Sequence, residues 1–382
     1  MSVLLTGATG FLGCRILREL LARGEEVTVL GRGTPDELRA RVDAAVTWLD
    51  APPLAADALA GVRYVRGDLT QPGLGLTPED RARVTQGLTA LWHCAAMIAL
   101  EAEPAPLHHA NVIGTRRVLE LAGEAPGARV LFVSTAYVAG RRRTGHVMET
   151  DLRDEDGFQT LYEESKYTAE RLLHTWARKG NRNVTVFRPS LLVSDRPVPE
   201  GLPQQSTDVA VRLVGGTLMG DRAAEQSAVR ALLAGPRDAD AQPLEIRQYR
   251  IKGDPEGTLN LLQVDYAARV MVTAAVRAEP TQGVRTLHVT HPENVRLSAV
   301  ISALQTRFPG LSLSITPKLT HPTVLEQLLA KHGAPLLTFS AHRRTYDRSN
   351  LLAAAGDLPA PAPIEHDYLR RVFAGAEVPL GA

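Results

Sequence analysis

A chain that leaves a short apolar strand and turns at once through Gly7-Ala-Thr-Gly10-Phe-Leu-Gly13 has few folds open to it. Ser2-Val-Leu-Leu-Thr6 reads as the strand. Phe11, Ile16, Leu17, Leu20 and Leu21 then recur at three- and four-residue spacing, the stripe of an amphipathic helix. Gly24 stops that helix and Val27-Thr-Val-Leu30 is the next strand. Glycines therefore stand where strand becomes helix. Gly7 permits the tight turn, Gly10 lets backbone approach a pyrophosphate, and Gly13 lets the helix pack close to the strand. The N–H groups and dipole of the helix start supply an anion site. The spacing predicts a dinucleotide held by Gly7, Thr9, Gly10, Phe11, Leu12 and Gly13.

The end of the second strand bears on which dinucleotide. An acidic residue there would hold the adenine ribose hydroxyls. This chain reads Leu30-Gly31-Arg32-Gly33, with no carboxylate before Asp36. A guanidinium at 32 can clasp a ribose phosphate bidentately and stack on adenine, which predicts NADP(H). The plainer reading is an Arg on an exposed loop.

Val62-Arg-Tyr-Val65 reads as a third strand, running into Gly67-Asp68-Leu69, and Leu91-Trp-His-Cys-Ala95-Ala96 as a fourth. Small residues at the end of the fourth suit a cofactor lying against backbone. Val130-Leu-Phe-Val133 is a fifth, opening into Ser134-Thr135. Tyr162 and Lys166 follow, four residues apart, so they share one helical face one turn apart. An ammonium beside a phenol favours the phenolate, so the pair predicts a lowered Tyr162 pKa and acid–base work near neutral pH. Thr135 can hold a substrate oxygen in line. An isolated YxxxK is common on helix surfaces; its place after a glycine-rich unit and a Ser-Thr strand end turns the reading to catalysis.

Taken together the chain resembles an extended short-chain dehydrogenase/reductase. The matching pieces are TGATGFLG, GDL, HCAA, NVIGT at 111 to 115, VSTAYV at 133 to 138, YEESK at 162 to 166 and FRPS at 187 to 190, in family order across residues 1 to 190. The resemblance implies Thr135, Tyr162 and Lys166 as catalytic residues. It also implies Lys166 and Tyr162 at the nicotinamide ribose, Asp68 and Leu69 near the adenine, Ala95 and Ala96 along the cofactor, and Pro189 and Ser190 near the nicotinamide. Asn111 opens NVIGT, where capping or backbone hydrogen bonding is favoured over a proton relay.

Within the family the chain looks most like the thioester reductase branch, with carboxylic acid and fatty acyl reductases. GDLTQPGLGLTPED, the Arg-rich stretch Glu37-Leu-Arg39-Ala-Arg41, and a Thr rather than a Ser in VSTAYV carry that likeness. The implied reaction is hydride reduction of an acyl thioester, on CoA or a carrier protein, to an aldehyde or alcohol. Tyr162 and Thr135 would stabilise the oxyanion. The chain opens on its first strand and carries no adenylation or carrier module, so a carrier is expected in trans. Two other readings stay open on such a fold. One is a nucleotide-sugar epimerase or ketoreductase, the other a dinucleotide-binding protein without chemistry.

The expected architecture is α/β, a Rossmann-type doubly wound parallel sheet with a smaller, mostly helical C-terminal substrate lobe. Residues 1–190 form the nucleotide domain, 258–290 return to it, and 191–257 with 291–382 build the lobe. Thr286-Leu-His-Val-Thr290 is a candidate strand, and VDYAARV at 264–270 resembles the segment where extended members rejoin the sheet. Gly215, Gly216 and Gly220 punctuate an irregular stretch. With 43 basic against 42 acidic residues, net charge gives no case for nucleic acid. Two cysteines, Cys14 and Cys94, sit in apolar stretches and read as small buried hydrophobes; no Cys/His spacing suggests a metal. Arg141-Arg142-Arg143 reads as a solvated loop that could alternatively meet CoA phosphates or an acidic carrier. No stretch has a spanning helix's length or a signal peptide's layout, so the expectation is a cytoplasmic enzyme, an oligomer being possible.

Overall fold

The computed structural model describes residues 2–98, 103–205, 207–208, 211, 247–277, 282–308, 311–323, 326–327 and 342–374. Seven strands form the central sheet: β1 (Ser2–Thr6), β2 (Glu26–Gly31), β3 (Arg63–Arg66), β4 (Ala90–His93), β5 (Arg129–Val133), β6 (Asn183–Pro189) and β7 (Gly283–Val289). Their order is β7-β6-β5-β4-β1-β2-β3 and every pairing is parallel. This is the doubly wound arrangement, with its direction of winding reversing between β1 and β4. All seven carboxyl ends lie along one edge, and the crevice at the reversal opens there.

Among the described residues, the helices that flank the sheet include α1 (Gly13–Ala22), α2 (Pro35–Thr47), α3 (Gly114–Gly123), α4 (Leu161–Gly180) and α5 (Val264–Arg277). Strand residues alternate between two cores, as a sheet covered on both faces requires. Val3, Leu5, Leu131 and Val133 join α1, α2 and α5 through Ile16, Leu17, Leu38, Val42 and Met271. Leu4, Val130 and Phe132 join α3 and α4 through Val118, Leu121, Leu173 and Ala177. Each such buried aliphatic side chain contributes about 1.5–3 kcal/mol.

Local signals place the helices. Thr34 and Glu37 close a capping box, with Pro35 opening α2. Thr160 accepts from the Glu163 N–H to start α4, so Tyr162 falls in its first turn, and Asn181 ends it in the left-handed region at φ 50°. The segment after β6 returns to the sheet: Leu261–Gln263 pairs with Leu191–Val193, α5 follows, and β7 pairs with β6. A third core, with Leu259, Ile301, Leu304, Phe308, Leu313, Leu369 and Phe373, holds the remainder. Its described residues combine helices Leu297–Gln305 and His366–Ala374 with a parallel pair, Arg247–Lys252 on Leu311–Thr316. The glycines at 215, 216 and 220 lie outside the described residues.

Candidate active site

The glycine turn is shaped by two close approaches. Gly7 has φ 79°, and a Cβ there would stand 2.6 Å from the Ala95 nitrogen at the exit of β4. A Cβ on Gly13 would stand 1.9 Å from the Gly7 carbonyl oxygen. The turn therefore tolerates no side chain at either position. Arg15 clamps it from behind: Nη1 donates to the Phe11 carbonyl at 2.6 Å and Nε to Asp265 at 2.7 Å, with the Phe11 and Trp48 rings on the guanidinium. The N-cap of α1, Leu12, offers no side-chain acceptor, which leaves the helix start to an incoming anion.

At the adenosine end, Arg32 is exposed and its carbonyl accepts from Arg41. Burial pushes Asp68 up, but the Thr70 N–H and hydroxyl, with Arg32 and Arg117 nearby, hold it below the usual carboxylate value. Arg32 and Asp68 thus share one corner of the crevice. Ser190 lies at the end of β6 with its hydroxyl oxygen buried and unpartnered. A turn closed to side chains at Gly7 and Gly13 and an orphaned hydroxyl at the opposite end fit a dinucleotide laid across the strand ends.

The strand read as Leu91–Ala96 ends at His93, and the following residues are pinned instead by side chains. Ala95 N–H donates to Thr6 Oγ1, which bonds His93 Nδ1 at 2.9 Å; His93 Nε2 meets Thr115 Oγ1 at 3.1 Å, and Thr115 donates to the Asn111 carbonyl. Because Thr115 gives its proton to Asn111, His93 must carry its own on Nε2. Burial, with Lys166 close by, lowers His93 to about 3, so it stays neutral. Asn111 lies in a π-helical turn, His109–Ile113, rather than at a cap. Its amide accepts from the Met97 N–H and donates to the Met97 carbonyl and to Ser165 Oγ. Those three bonds favour the structural role over a relay.

Two of the catalytic candidates, Thr135 and Lys166, meet at the exit of β5, and Tyr162 lies one turn before Lys166 on α4. Thr135 is buried, accepts from the Tyr137 N–H at 3.2 Å and reaches the Pro189 carbonyl at 3.5 Å. Lys166 is 3% exposed and its Nζ donates to the Val133 carbonyl at 2.6 Å, over the Phe132 ring. Burial lowers it to about 8. Tyr162 differs from the sequence expectation. Burial, and then the neighbouring Glu163, push its phenol up rather than down. The Lys166 ammonium is bonded to the β5 carbonyl.

Several buried polar residues were not singled out from sequence. Glu170 accepts from Ser134 and Arg188, and Glu149 accepts the N–H groups of His288, Asn350 and Leu351. An Arg in the apolar strand NVTVFRP and a Glu one turn after Lys166 were the available signals. Cys14 is buried as expected, whereas Cys94 is only half-buried. In the arginine triplet, Arg142 is half-buried and pairs with Asp151 at 2.7 Å, while Arg141 and Arg143 are exposed.

A family model described as "male sterility protein" matches residues 5–236. The chain belongs to that family. It is an NAD-binding family of the extended short-chain dehydrogenase/reductase type, so the chain is an oxidoreductase of that class. The large subunit of L-2-aminoadipate reductase from Penicillium chrysogenum is 26% identical over 328 residues, 80% of this chain. The chain spans only 20% of that relative's length. The terminal R domain of the myxalamid PKS-NRPS pathway superposes with a TM-score of 0.74 at 23% identity, over 98% of this chain and 90% of that one. A thiolation-reductase di-domain from an archaeal non-ribosomal peptide synthetase gives 0.66 at 18%, over 98% and 74%. UDP-glucuronic acid 4-epimerase from Bacillus cereus with NAD gives 0.63 at 17%, over 98% of both. Among the described residues no helix is long and apolar enough to cross a membrane, and no cluster of His, Cys, Asp or Glu could hold a metal.

Proposed function

We propose that this oxidoreductase uses NADP(H) to reduce an acyl thioester, presented on CoA or on a carrier protein's phosphopantetheine, to an aldehyde. The observation that carries the reading is Thr135 and Lys166 buried together at the exit of β5, with Tyr162 one turn before Lys166 on α4, alongside the Gly7–Gly13 turn. Likeness to an aminoadipate reductase and to R domains supports the thioester over a sugar nucleotide. Arg32, exposed at the end of β2 with no carboxylate before Asp36, supports the phosphorylated cofactor.

When bound, the cofactor supplies the hydride that reduces the acyl carbonyl carbon. Tyr162, kept protonated by burial, gives its phenolic proton to the carbonyl oxygen. Thr135 donates a hydrogen bond to the same oxygen, and Lys166 places positive charge beneath the site. The C–S bond of the resulting hemithioacetal then breaks, leaving aldehyde and free thiol. Gly7, Thr9, Gly10, Phe11, Leu12 and Gly13 would hold the pyrophosphate. Arg32, Asp68 and Leu69 would hold the adenosine end, and Ala95, Ala96, Pro189 and Ser190 the nicotinamide end. The test is release of one thiol per NADPH oxidised; oxidation of NADPH without thiol release overturns the reading.

A further inference from the structure

Behind the proposed acid–base group lies a buried charge that the chemistry above does not use. Glu170 follows Lys166 by one helical turn on α4 and is fully buried. Its carboxylate accepts from Ser134 Oγ at 2.8 Å and from Arg188 Nε at 3.0 Å. Arg188 also donates to the Glu149 carbonyl at 3.3 Å. Consecutive residues at the exit of β5 thus hold both charges, the Val133 carbonyl taking Lys166 and the Ser134 hydroxyl taking Glu170.

We infer that Glu170 is a positioning residue of the proposed reductase site: clamped by Ser134 and Arg188, its carboxylate keeps the buried Lys166 side chain an ammonium at the end of β5. A cation taken out of water needs a compensating charge or it loses its proton. Lys166 is faced on its own helix by Tyr162 and Glu170, and from β4 and its exit by His93 and Cys94. Burial keeps the Tyr162 phenol and the Cys94 thiol protonated and His93 neutral. Glu170 is the carboxylate that acts on Lys166 against its burial. Arg188 and Ser134 hold Glu170, His174 stands 3.9 Å from it one turn on, and Glu149 and His288 contact Arg188.

The inference rests on the reductase reading for the use made of Lys166, but its test needs no substrate. The chain has five lysines, so lysine labelled at Cε and Nζ gives five NMR signals, with that of Lys166 identified by its loss in Lys166→Arg. In Glu170→Gln the Lys166 signal is expected to titrate at least about one pH unit lower, with the other four unmoved. The alkaline limb of the kcat/KM profile should move with it, and Glu170→Asp should recover part of the shift. Glu170→Gln leaves Arg188 buried and unpaired. Glu170→Gln/Arg188→Met removes both charges in a protein left with no unpaired Arg188; loss of the cation opposes the shift, so Lys166 should move the same way but by less. Either folded variant with Lys166 titrating as in the wild type overturns the inference. A downward shift in a protein that reduces no thioester would uphold it while refuting the reductase reading.

Discussion

A methyl group on Gly13 would stand 1.9 Å from the carbonyl oxygen of Gly7. The first turn of α1 and the exit of β1 touch through backbone alone, and the obstacle is a carbonyl rather than a side chain that could swing away. Gly13→Ala should cost about 3 kcal/mol of stability and weaken dinucleotide binding more than tenfold, read by urea unfolding and fluorescence titration. Wild-type stability and affinity would show that the turn is looser than described.

Asn111 ties the β4 exit to α4 through both backbone groups of Met97 and through Ser165, whose hydroxyl in turn donates to the Tyr162 carbonyl. Asn111→Leu should lose about 2–3 kcal/mol, since it strands buried groups on two elements. A proton relay would instead predict near-normal stability with a selective loss of turnover.

Much of the site was legible because its signals are local. A strand, a glycine turn and a helix follow one another in the first thirty residues, and Tyr162 and Lys166 are one turn apart on a helix that Thr160 caps. What sequence did not reveal depends on distant partners. The direction of the Tyr162 shift is set by its burial in the folded chain and by Glu163, and the Lys166 ammonium bonds a carbonyl 33 residues earlier. Arg15 meets an aspartate 250 residues away. Arg247–Lys252 reads as a polar stretch until its parallel partner, Leu311–Thr316, supplies the other half of the pair.

Glu163 is fully buried, and burial raises its carboxyl to about 7. A carboxyl raised on folding holds its proton more tightly in the native state. Its stabilising share is therefore complete below the unfolded value near 4.5 and is lost as pH rises through about 7. Glu163→Gln should match the wild type in melting temperature near pH 5. It should exceed it by a few degrees at pH 8, a difference on the order of 3 kcal/mol. The buried histidines His93, His288 and His342 act in the opposite sense below pH 6.5 but cancel in this comparison. A melting difference that does not vary with pH would contradict the assignment.

The proposed preference for the phosphorylated cofactor rests on Arg32. Arg32→Ala should raise the dissociation constant for NADPH by about 10- to 100-fold, the loss of a charge-assisted bidentate contact, and leave NADH unchanged. Equal weakening of both cofactors would assign Arg32 to the loop rather than to the phosphate.

The most direct test of the central claim is the rate of NADPH oxidation with acyl-CoA and acyl-pantetheine thioesters, set beside free aldehydes, cyclic ketones and sugar nucleotides. Turnover of thioesters that falls by at least about a hundredfold in Tyr162→Phe, with the variant still binding NADPH, is the predicted result. Turnover of ketones, aldehydes or sugar nucleotides with none of the thioesters would contradict it.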